Sequence, residues 1–333
     1  MRKIDVHAHY IPPSVVNAEA GGEDWYGLVY SDRTGPGFDD PNGRRVVINS
    51  PKLRFTPAER VADMDASGTD LQVVSIHTPF FGYSWDSVQT QEMAREVNDA
   101  IAELVRQHPQ RFAGMATLPV QDVAASIDEL ERAVKVLGLK GAELDAVVNA
   151  ENWDEPRFLP LFKAAEAMDA LLFFHPQPQA NIVALERSRK YSLPNSVGVP
   201  LEDTMVVATL IFGGILEECP NLKACIAHGG GPACFGMGRM DHGWLVRPEA
   251  RVNIARPPST YQKQLYYDFL TSSEPALRFL IDAVGADRVV MGSDWPFVEW
   301  DPSPGGWLDG LQSLSHEEKE KISHQNLELL LGI

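Results

Sequence analysis

Two histidines near the start of the chain, His7 and His9 in KIDVHAH, are separated by a single residue. Alternate side chains of a β-strand point to the same side, so both imidazoles would face one way. Imidazole nitrogens are suitable ligands for a borderline divalent ion such as Zn²⁺. The pair alone is weak evidence of a metal site, because an HxH pattern also arises by chance.

Three further polar residues follow apolar segments: His175 ends FFH, His228 ends IAH, and Asp294 lies in MGSDWPF. Each has an ordinary structural explanation, because a buried histidine is often hydrogen-bonded to its surroundings and an aspartate often begins a turn or caps a helix. Taken together, four independent strand ends carry suitable metal ligands. We therefore predict that His7, His9, His175 and Asp294 bind one metal ion and leave a position for water. We expect His228 to lie beside that water and the substrate.

Eight short apolar segments recur along the chain and are typical of strands covered on both faces. They span residues 3–9, 71–77, 111–118, 139–144, 170–175, 222–228, 265–270 and 288–292. Amphipathic helices are predicted at residues 57–66, 89–107, 123–137, 156–168, 202–218, 274–284 and 316–331. Repeated β–α units form either an open doubly wound sheet or a closed barrel, and eight units favour a (β/α)8 barrel of the α/β class. In a barrel the carboxyl ends of all strands open at one rim, which would bring the five polar residues together.

Two segments interrupt this alternation. Residues 11–55 are rich in Gly, Pro and Asp and are predicted to form a long loop excursion after the first strand, and residues 298–312 form a second one after the last strand. Long loops in compact enzymes are often functional lids. No internal repeat or linker divides the chain, so residues 1–333 are predicted to form a single domain.

Composition excludes several classes of partner. The chain has 29 Lys and Arg residues and 46 Asp and Glu residues, so its net charge is 29 − 46 = −17. This negative charge argues against binding to nucleic acid or to an anionic membrane. No apolar run is long enough for a membrane-spanning helix, and the N-terminus becomes polar too soon for a signal peptide. The three cysteines form neither an even set nor a CxxC pair, which is typical of a reducing compartment. We predict a cytoplasmic protein that acts on a small molecule.

Three other residues are weaker candidates. His77 ends the second apolar segment and could face the rim, but a structural role is equally compatible with the sequence. Lys140 could bridge two metal ions if it were carbamylated, yet it is predicted to open the fourth strand on the far side of the barrel, so a second metal ion is not expected. Glu143 could reach the cavity or serve in packing.

Four motifs in this order, MRKIDVHAHYIPP, FFHP, CIAHGGG and MGSDWPF, resemble the metal-dependent amidohydrolase superfamily. They are most similar to its branch that contains 2-amino-3-carboxymuconate 6-semialdehyde decarboxylase, and the similarity covers almost the whole chain. The resemblance implies a distorted (β/α)8 barrel with one Zn²⁺, or another divalent ion, bound by His7, His9, His175 and Asp294. It also implies a homodimer in which His228 orients or deprotonates the bound water, with catalytic roles for His228 and Asp294.

The same resemblance implies a zinc-dependent, non-oxidative decarboxylase of a small unsaturated or aromatic carboxylic acid. A metal ion provides charge compensation for the carbanion that remains when CO2 leaves. The alternative is a zinc-dependent hydrolase that cleaves an amide, a lactone or a carbon–carbon bond with the same metal-bound hydroxide. A barrel that binds metal without catalysis is disfavoured by the intact set of four ligands and His228.

Substrate-binding residues are suggested mainly by the resemblance. Arg239 matches a family arginine that reaches the neighbouring subunit's pocket and binds a carboxylate, although an ion pair with Asp241 on the same helix is an alternative. The family's second arginine falls on Ile48 in an ungapped match, and on Arg45 if three residues are inserted.

Two aromatic residues are candidate walls of the substrate pocket. Phe297 and Trp295 are predicted to be apolar walls, or else to pack the exit loop of the last strand. After His175 the chain reads HPQPQA where the family's decarboxylases tend to read HPWDM, which exchanges an aromatic wall for amides and prolines.

Overall fold

The computed structural model describes residues 1–177 and 185–333. Eight parallel strands build the central barrel, each within the predicted segment except that the first extends one residue beyond it. They are Ile4–Tyr10 (β1), Leu71–Ile76 (β2), Phe112–Gly114 (β3), Gly141–Leu144 (β4), Leu171–Phe174 (β5), Lys223–Ile226 (β6), Tyr266–Asp268 (β7) and Val289–Val290 (β8).

The strands form two sheets that meet at two seams. β1, β2 and β3 form one sheet and β4 to β8 form the other, with every neighbouring pair parallel. Single bridges join the two sheets: Ala116 pairs with Ala142 on one side, and Ala8 pairs with Trp295 on the other. The predicted distorted α/β barrel is therefore confirmed, and its distortion lies at these two seams.

Fourteen α-helices accompany the strands in the described part of the chain. They are Pro13–Gly21 (α1), Pro57–Ser67 (α2), Ser87–Gln107 (α3), Val123–Lys135 (α4), Leu159–Ala167 (α5), Leu185–Ser188 (α6), Val199–Phe212 (α7), Ile215–Glu218 (α8), Ala233–Val246 (α9), Pro258–Tyr261 (α10), Glu274–Val284 (α11), Pro304–Gly310 (α12), His316–Glu320 (α13) and Asn326–Leu331 (α14). Short 3₁₀ segments lie at Pro51–Arg54, Thr78–Phe80, Pro156–Phe158, His228–Gly230, Pro248–Arg251, Gln262–Gln264 and Ala286–Arg288, and π-helical turns at Pro194–Gly198 and Lys321–Gln325. No helix among these residues has both the length and the hydrophobicity needed to cross a lipid bilayer.

The predicted helices are all present, with two differences in detail. The helix expected over 202–218 is split into α7 and α8 at Gly213 and Gly214, and the helix expected over 316–331 contains a π-helical turn between α13 and α14. The helix α9 was not among the seven predicted amphipathic helices, although the alternative for Arg239 assumed a helix there. Its three interior glycines, at positions 236, 238 and 243, lower the helix propensity and obscure the apolar periodicity.

The excursion at 11–55 contains ordered elements. It begins with α1, continues through a small antiparallel sheet made of Val29–Tyr30, Phe38–Asp39 and Arg45–Val46, and ends in the 3₁₀ turn Pro51–Arg54. Leu28, Phe38 and Val46 are buried and belong to the large apolar cluster between strands and helices. The segment is therefore a packed layer, although its composition is typical of a loop.

The barrel interior has an apolar lower part and a polar rim. Ile4, Val6, Leu171 and Phe173 are among the buried residues that fill it, and Leu327, Leu330 and Leu331 of α14 pack against them. Side chains alternate along a strand, so His175 points to the same side as Phe173 but lies nearer the carboxyl end. The core thus supports the polar residues from below.

Gly141 at the start of β4 provides a test of this packing. Its φ is +152°, and an added Cβ would lie 1.8 Å from the carbonyl oxygen of Leu171 on β5. We expect Gly141→Ala to lower the free energy of unfolding by at least about 3 kcal/mol, because neither backbone can move within the sheet. Gly243→Ala in α9 meets no atom within 4 Å and is the control; we expect it to be neutral or slightly stabilising. Equal denaturation midpoints for the two variants would contradict this view of the β4–β5 contact.

Candidate metal centre

Four side chains converge at the carboxyl rim of the barrel. One ligand atom from each of His7, His9, His175 and Asp294 lies within 4.8 Å of the others, and all four residues are buried. Asp294 Oδ1 is 2.9 Å from His9 Nε2 and 3.3 Å from His7 Nε2. The rings of His7 and His175 are 4.6 Å apart between centroids. A metal site is present, and it consists of the four predicted residues.

Local backbone features aim these side chains. The pairing of β1 with β2 is irregular between Asp5 and Ala8, and such a bulge re-aims the side chains beside it. Past the end of β8, His9 N donates to Trp295 O at 2.9 Å. This hydrogen bond joins β1 to the segment that follows the last strand. Asp294 has a φ of +59°, a left-handed conformation that is uncommon for residues other than glycine. Such strain persists only where the surrounding structure enforces it.

Hydrogen bonds leave the correct nitrogens free for a metal ion. His7 Nδ1 is 2.8 Å from Asp268 Oδ2, and His175 Nδ1 is 2.8 Å from the carbonyl oxygen of Pro176. Because these acceptors hold a proton on each Nδ1, the lone pair of each Nε2 faces the cluster. Both Nε2 atoms are buried and have no hydrogen-bond partner among the described residues. One carboxylate and three imidazoles, two of which have an unpaired Nε2, fit a divalent metal ion.

The electrostatics of Asp294 and His175 suit a cation, whereas, against the opposing effect of burial, Asp294 and Asp268 raise the pKa of His7. Burial opposes ionisation of Asp294, yet the adjacent His7 and His9 hold the pKa of this carboxyl well below its usual value. Burial and the neighbouring His7 and His228 hold the pKa of His175 well below its usual value, so this imidazole is neutral. An ionised carboxylate and a neutral imidazole are the forms in which these residues bind metals.

His228 lies beside the cluster. Its ring is 4.9 Å from that of His175 and 5.4 Å from that of His7. Its Nδ1 contacts Asp203 Oδ2 of α7 at 2.9 Å, and this carboxylate raises the pKa of His228 against the opposing effect of burial. His228 has a left-handed φ of +52°, and Asp203 is fully buried. His228 is not one of the four grouped ligands, and its ring lies beside them.

A cavity of about 700 Å³ opens onto His228 and Asp294. Its walls are mainly apolar or small and include Pro200, Phe235 and Leu270. Phe297 lies on the metal side, with its ring 5.3 Å from His9 and 4.7 Å from His77. This cavity is large enough for a small organic substrate.

Trp295 points away from the metal cluster. Its Nε1 donates to Asp63 Oδ2 at 2.7 Å, and the Arg60 guanidinium lies 3.9 Å from the centre of a Trp295 ring. Through these contacts Trp295 packs the exit loop of the last strand, which was the alternative to a role as a pocket wall.

The arginines named from the sequence lie outside the metal cluster. Arg239 on α9 is exposed and forms no ion pair with a described residue, while Asp241 instead accepts from Ser259 N at 2.9 Å. Arg45 donates to the carbonyl oxygens of Ser31 and Gly35 within the excursion.

Ile48, the other candidate position for the second arginine, is buried in the apolar cluster. Arg44, the neighbour of Arg45 in sequence, lines a separate polar cavity of about 260 Å³ with Asp145 and Gln177. Beyond Gln177 the HPQPQA segment lies outside the described residues.

Two buried carboxylates were missed by the sequence analysis, Asp268 on β7 and Asp203 on α7. Each contacts the Nδ1 of a site histidine, and Asp268 also accepts from Gly229 N at 2.9 Å. The available signal was an aspartate inside an apolar segment, YYDFL for Asp268 and LEDTMVV for Asp203. A buried charge requires a partner, but the sequence does not identify it.

The weaker candidates lie at different depths. His77 is buried beside the cluster, with its ring 5.2 Å from that of His9. Glu143 is buried in β4, and burial raises its pKa to about 8. Lys140 directly precedes β4, at the end of the barrel opposite the metal cluster, as expected.

The Asp268–His7 contact can be tested by removing one charge. In Asp268→Asn, an amide N–H facing Nδ1 would shift the His7 proton to Nε2 and block the metal-binding lone pair. We expect Zn²⁺ affinity to fall about 10- to 100-fold in competition titrations with a chromophoric chelator. Asp203→Asn, which makes the same change beside His228, is the control and should retain the affinity. A similar loss in both variants would show that Asp268 has no specific effect on the ligand.

Comparison with known proteins agrees with this geometry. Residues 4–333 match the family described as amidohydrolase. The chain is 34% identical over 337 residues to 2-amino-3-carboxymuconate-6-semialdehyde decarboxylase of Dictyostelium discoideum, covering 99% of this chain and 92% of that protein. It is 27% identical to the gamma-resorcylate decarboxylase of a Rhizobium species, covering 99% of this chain and 98% of that one.

A solved structure shares the fold over nearly the full length. It is a dihydroxybenzoic acid decarboxylase from Polaromonas sp. JS666 with bound manganese and the inhibitor 2-nitroresorcinol. It superposes with a TM-score of 0.82 at 23% identity and covers 99% of this chain and 97% of its own. The chain therefore belongs to the amidohydrolase superfamily, in the branch that contains 2-amino-3-carboxymuconate-6-semialdehyde decarboxylase.

Proposed function

We propose that this protein is a metal-dependent, non-oxidative decarboxylase of a small aromatic or unsaturated carboxylic acid. The proposal rests on the four-ligand cluster and the adjacent His228. A cavity large enough for a small organic substrate opens onto His228 and Asp294. Relatives that align over nearly the whole chain carry decarboxylase names, which supports carbon–carbon rather than amide cleavage.

His7, His9, His175 and Asp294 would hold the ion. A bound divalent ion would supply positive charge for the carboxylate-bearing substrate and would lower the pKa of a bound water. We propose zinc, because three imidazoles and one carboxylate form a typical zinc donor set. The Polaromonas structure contains manganese, so metal analysis of the purified protein would distinguish zinc from manganese.

His228 is proposed to move the proton. With Nδ1 held by Asp203, its Nε2 is left for chemistry and makes no hydrogen bond with a described residue. When the carbon–carboxylate bond breaks, its electron pair stays on the substrate carbon and CO2 leaves. A proton from His228 Nε2 can then replace the lost carboxylate, and Asp203 would stabilise the charged form of the ring beforehand.

The substrate carboxylate requires a cation in this acidic protein. We propose Arg239 for this role, acting from the neighbouring subunit of a homodimer, since its guanidinium is exposed and free of an ion pair with any residue that the structure describes. On the excursion side, both arginines are already engaged, Arg45 by backbone carbonyls and Arg44 by an ion pair with Asp40 at 3.1 Å. Phe297 would form an apolar wall, with Trp295 supporting the loop behind it.

Some predictions from the sequence are retained here as proposals. They are a single domain over residues 1–333, a homodimer and a cytoplasmic location, with a small carboxylic acid as the only class of partner.

Release of CO2 is the direct test of this function. We expect the zinc- or manganese-loaded protein to release CO2 from 2-amino-3-carboxymuconate 6-semialdehyde or from gamma-resorcylate, as measured with carboxyl-labelled acids. His228→Ala should lower this rate by about 10²- to 10⁴-fold while metal content stays nearly unchanged. His175→Ala is the comparison variant and should lose metal.

Other outcomes would count against this assignment. Turnover of amides or lactones without CO2 release would favour the hydrolase. Equal metal loss in His228→Ala and His175→Ala would contradict the separate roles of the two histidines.

The role of Arg239 can be tested by mixing subunits. We expect Arg239→Ala to raise KM more than it lowers kcat, because a substrate-binding charge is lost. If Arg239 acts across the interface, mixing Arg239→Ala and His228→Ala proteins should restore the KM of the unmodified protein in the heterodimers, where one site contains both residues. Arg247→Ala, a change at the end of the same helix, is the control. A KM in verified heterodimers as high as that of Arg239→Ala alone would exclude sharing of the site between subunits.

A further inference from the structure

The first strand changes the direction of its side chains just before the metal ligands. Ile4 and Val6 belong to the apolar cluster that fills the barrel interior. Strict alternation along the strand would therefore direct Ala8 into the barrel and His7 and His9 away from it. Both imidazoles instead lie at the metal centre inside the rim. The alternation is thus reversed between Val6 and His7.

A single extra residue in β1 produces this reversal. Asp5 is opposite Gln72 of β2 and Ala8 is opposite Val74, so β1 advances by one residue more than β2 over this stretch. An extra residue of this kind, a β-bulge, moves every later side chain to the other face of the strand. The position of the bulge therefore decides whether the two histidines of β1 face the metal centre.

The side chain of Asp5 lies at this bulge. Asp5 is fully buried, and its Oδ1 accepts from the backbone N–H of His7 at 3.1 Å. An aspartate that bonds the N–H two residues later offers this group an alternative to strand pairing, as it does in an Asx turn. Asp5 thus stabilises, inside a strand, the local departure that turns His7 into the barrel.

The same carboxylate also holds the other side of the metal centre. Its Oδ1 accepts from Ser293 N at 2.8 Å, and its Oδ2 accepts from Ser293 Oγ at 2.6 Å. Ser293 directly precedes the ligand Asp294, and Ser293 Oγ in turn accepts from Trp295 N at 3.1 Å. One buried carboxylate therefore joins the backbone of His7 to the backbone on both sides of Asp294.

We propose that Asp5 is a positioning residue of the metal centre. Its carboxylate fixes the bulge that turns His7 and His9 into the barrel, and through Ser293 it fixes the backbone that carries Asp294. Asp5 is not one of the four grouped ligands, so it acts through them. This role concerns metal binding and does not depend on the proposed decarboxylase activity.

A purely structural Asp5 is the alternative. Its hydrogen bonds would then only join β1 to the segment after β8, and their loss would lower the stability of the fold without a specific effect on the ligands. The two roles differ in the affinity and the coordination geometry of the metal ion in the folded protein.

Metal titration of the full-length protein distinguishes these roles. Asp5→Ala removes all three hydrogen bonds, and we expect Zn²⁺ affinity to fall about 10- to 100-fold in competition with a chromophoric chelator. The visible absorption of the Co²⁺-loaded variant should also change, because it depends on coordination geometry. Asp5→Asn retains an Oδ1 that can accept from both N–H groups, so it should keep the original spectrum and an affinity within about three-fold.

Asn326→Ala is the matched control for lost stability. Asn326 Nδ2 donates to Ala286 O and Val289 O, at the start of β8 and away from the ligands. This variant should have a lower unfolding temperature but unchanged Zn²⁺ affinity and Co²⁺ spectrum. Unchanged affinity in Asp5→Ala, or an equal loss in Asp5→Ala and either Asn326→Ala or Asp5→Asn, would overturn the proposal.

Ser293→Ala provides the test if Asp5→Ala does not fold. It removes the hydroxyl bond to Asp5 Oδ2 and keeps the bond from Ser293 N. We expect an affinity loss of about three- to ten-fold with an altered Co²⁺ spectrum, and recovery of both in Ser293→Thr, which retains a hydroxyl. Unchanged affinity and spectrum in Ser293→Ala would then overturn the positioning role of Asp5.

Discussion

The close approach of three imidazoles and one carboxylate in the protein interior is the constraint on which the structure depends. Burying ionisable groups costs free energy unless each is paired, and His7, His9, His175 and Asp294 can share one ion. The strained conformations of Asp294 and His228 and the bulge in β1 are local costs of this convergence. The apolar interior below and the seam between β1 and β8 keep the four ligands in position.

The same carboxylate–histidine contact occurs twice in the site and serves two different purposes. A buried carboxylate contacts the Nδ1 of His7 and another contacts the Nδ1 of His228, which directs each Nε2 outward. For His7 the outward nitrogen faces the other metal ligands, and for His228 it faces the cavity. Because the rings themselves are chemically identical, their surroundings separate metal binding by His7 from the proton transfer proposed for His228.

Residues of the excursion at 11–55 line two cavities that lie outside the metal cluster. The small sheet of the excursion brings Arg44 to the polar cavity beside Asp40 and Asp145, and its 3₁₀ turn and α1 line an apolar cavity together with Leu104 of α3. The cations at these cavities are paired with carboxylates, Arg44 with Asp40, Lys52 with Asp63 and Arg54 with Glu19.

The sequence by itself determined the eight strands, most of the helices, the barrel and the four metal ligands. This was possible because period-two and period-3.6 hydrophobic patterns are local, and because a barrel brings every strand end to one rim. It did not predict α9, whose glycines hide its pattern, or the partner roles of Asp268 and Asp203. Only the tertiary structure decided which histidine nitrogen is free, that Trp295 turns toward Arg60, and that Arg45 is occupied by backbone carbonyls. These features depend on contacts between residues far apart in the chain, where side-chain direction and local packing leave no periodic signal in the sequence.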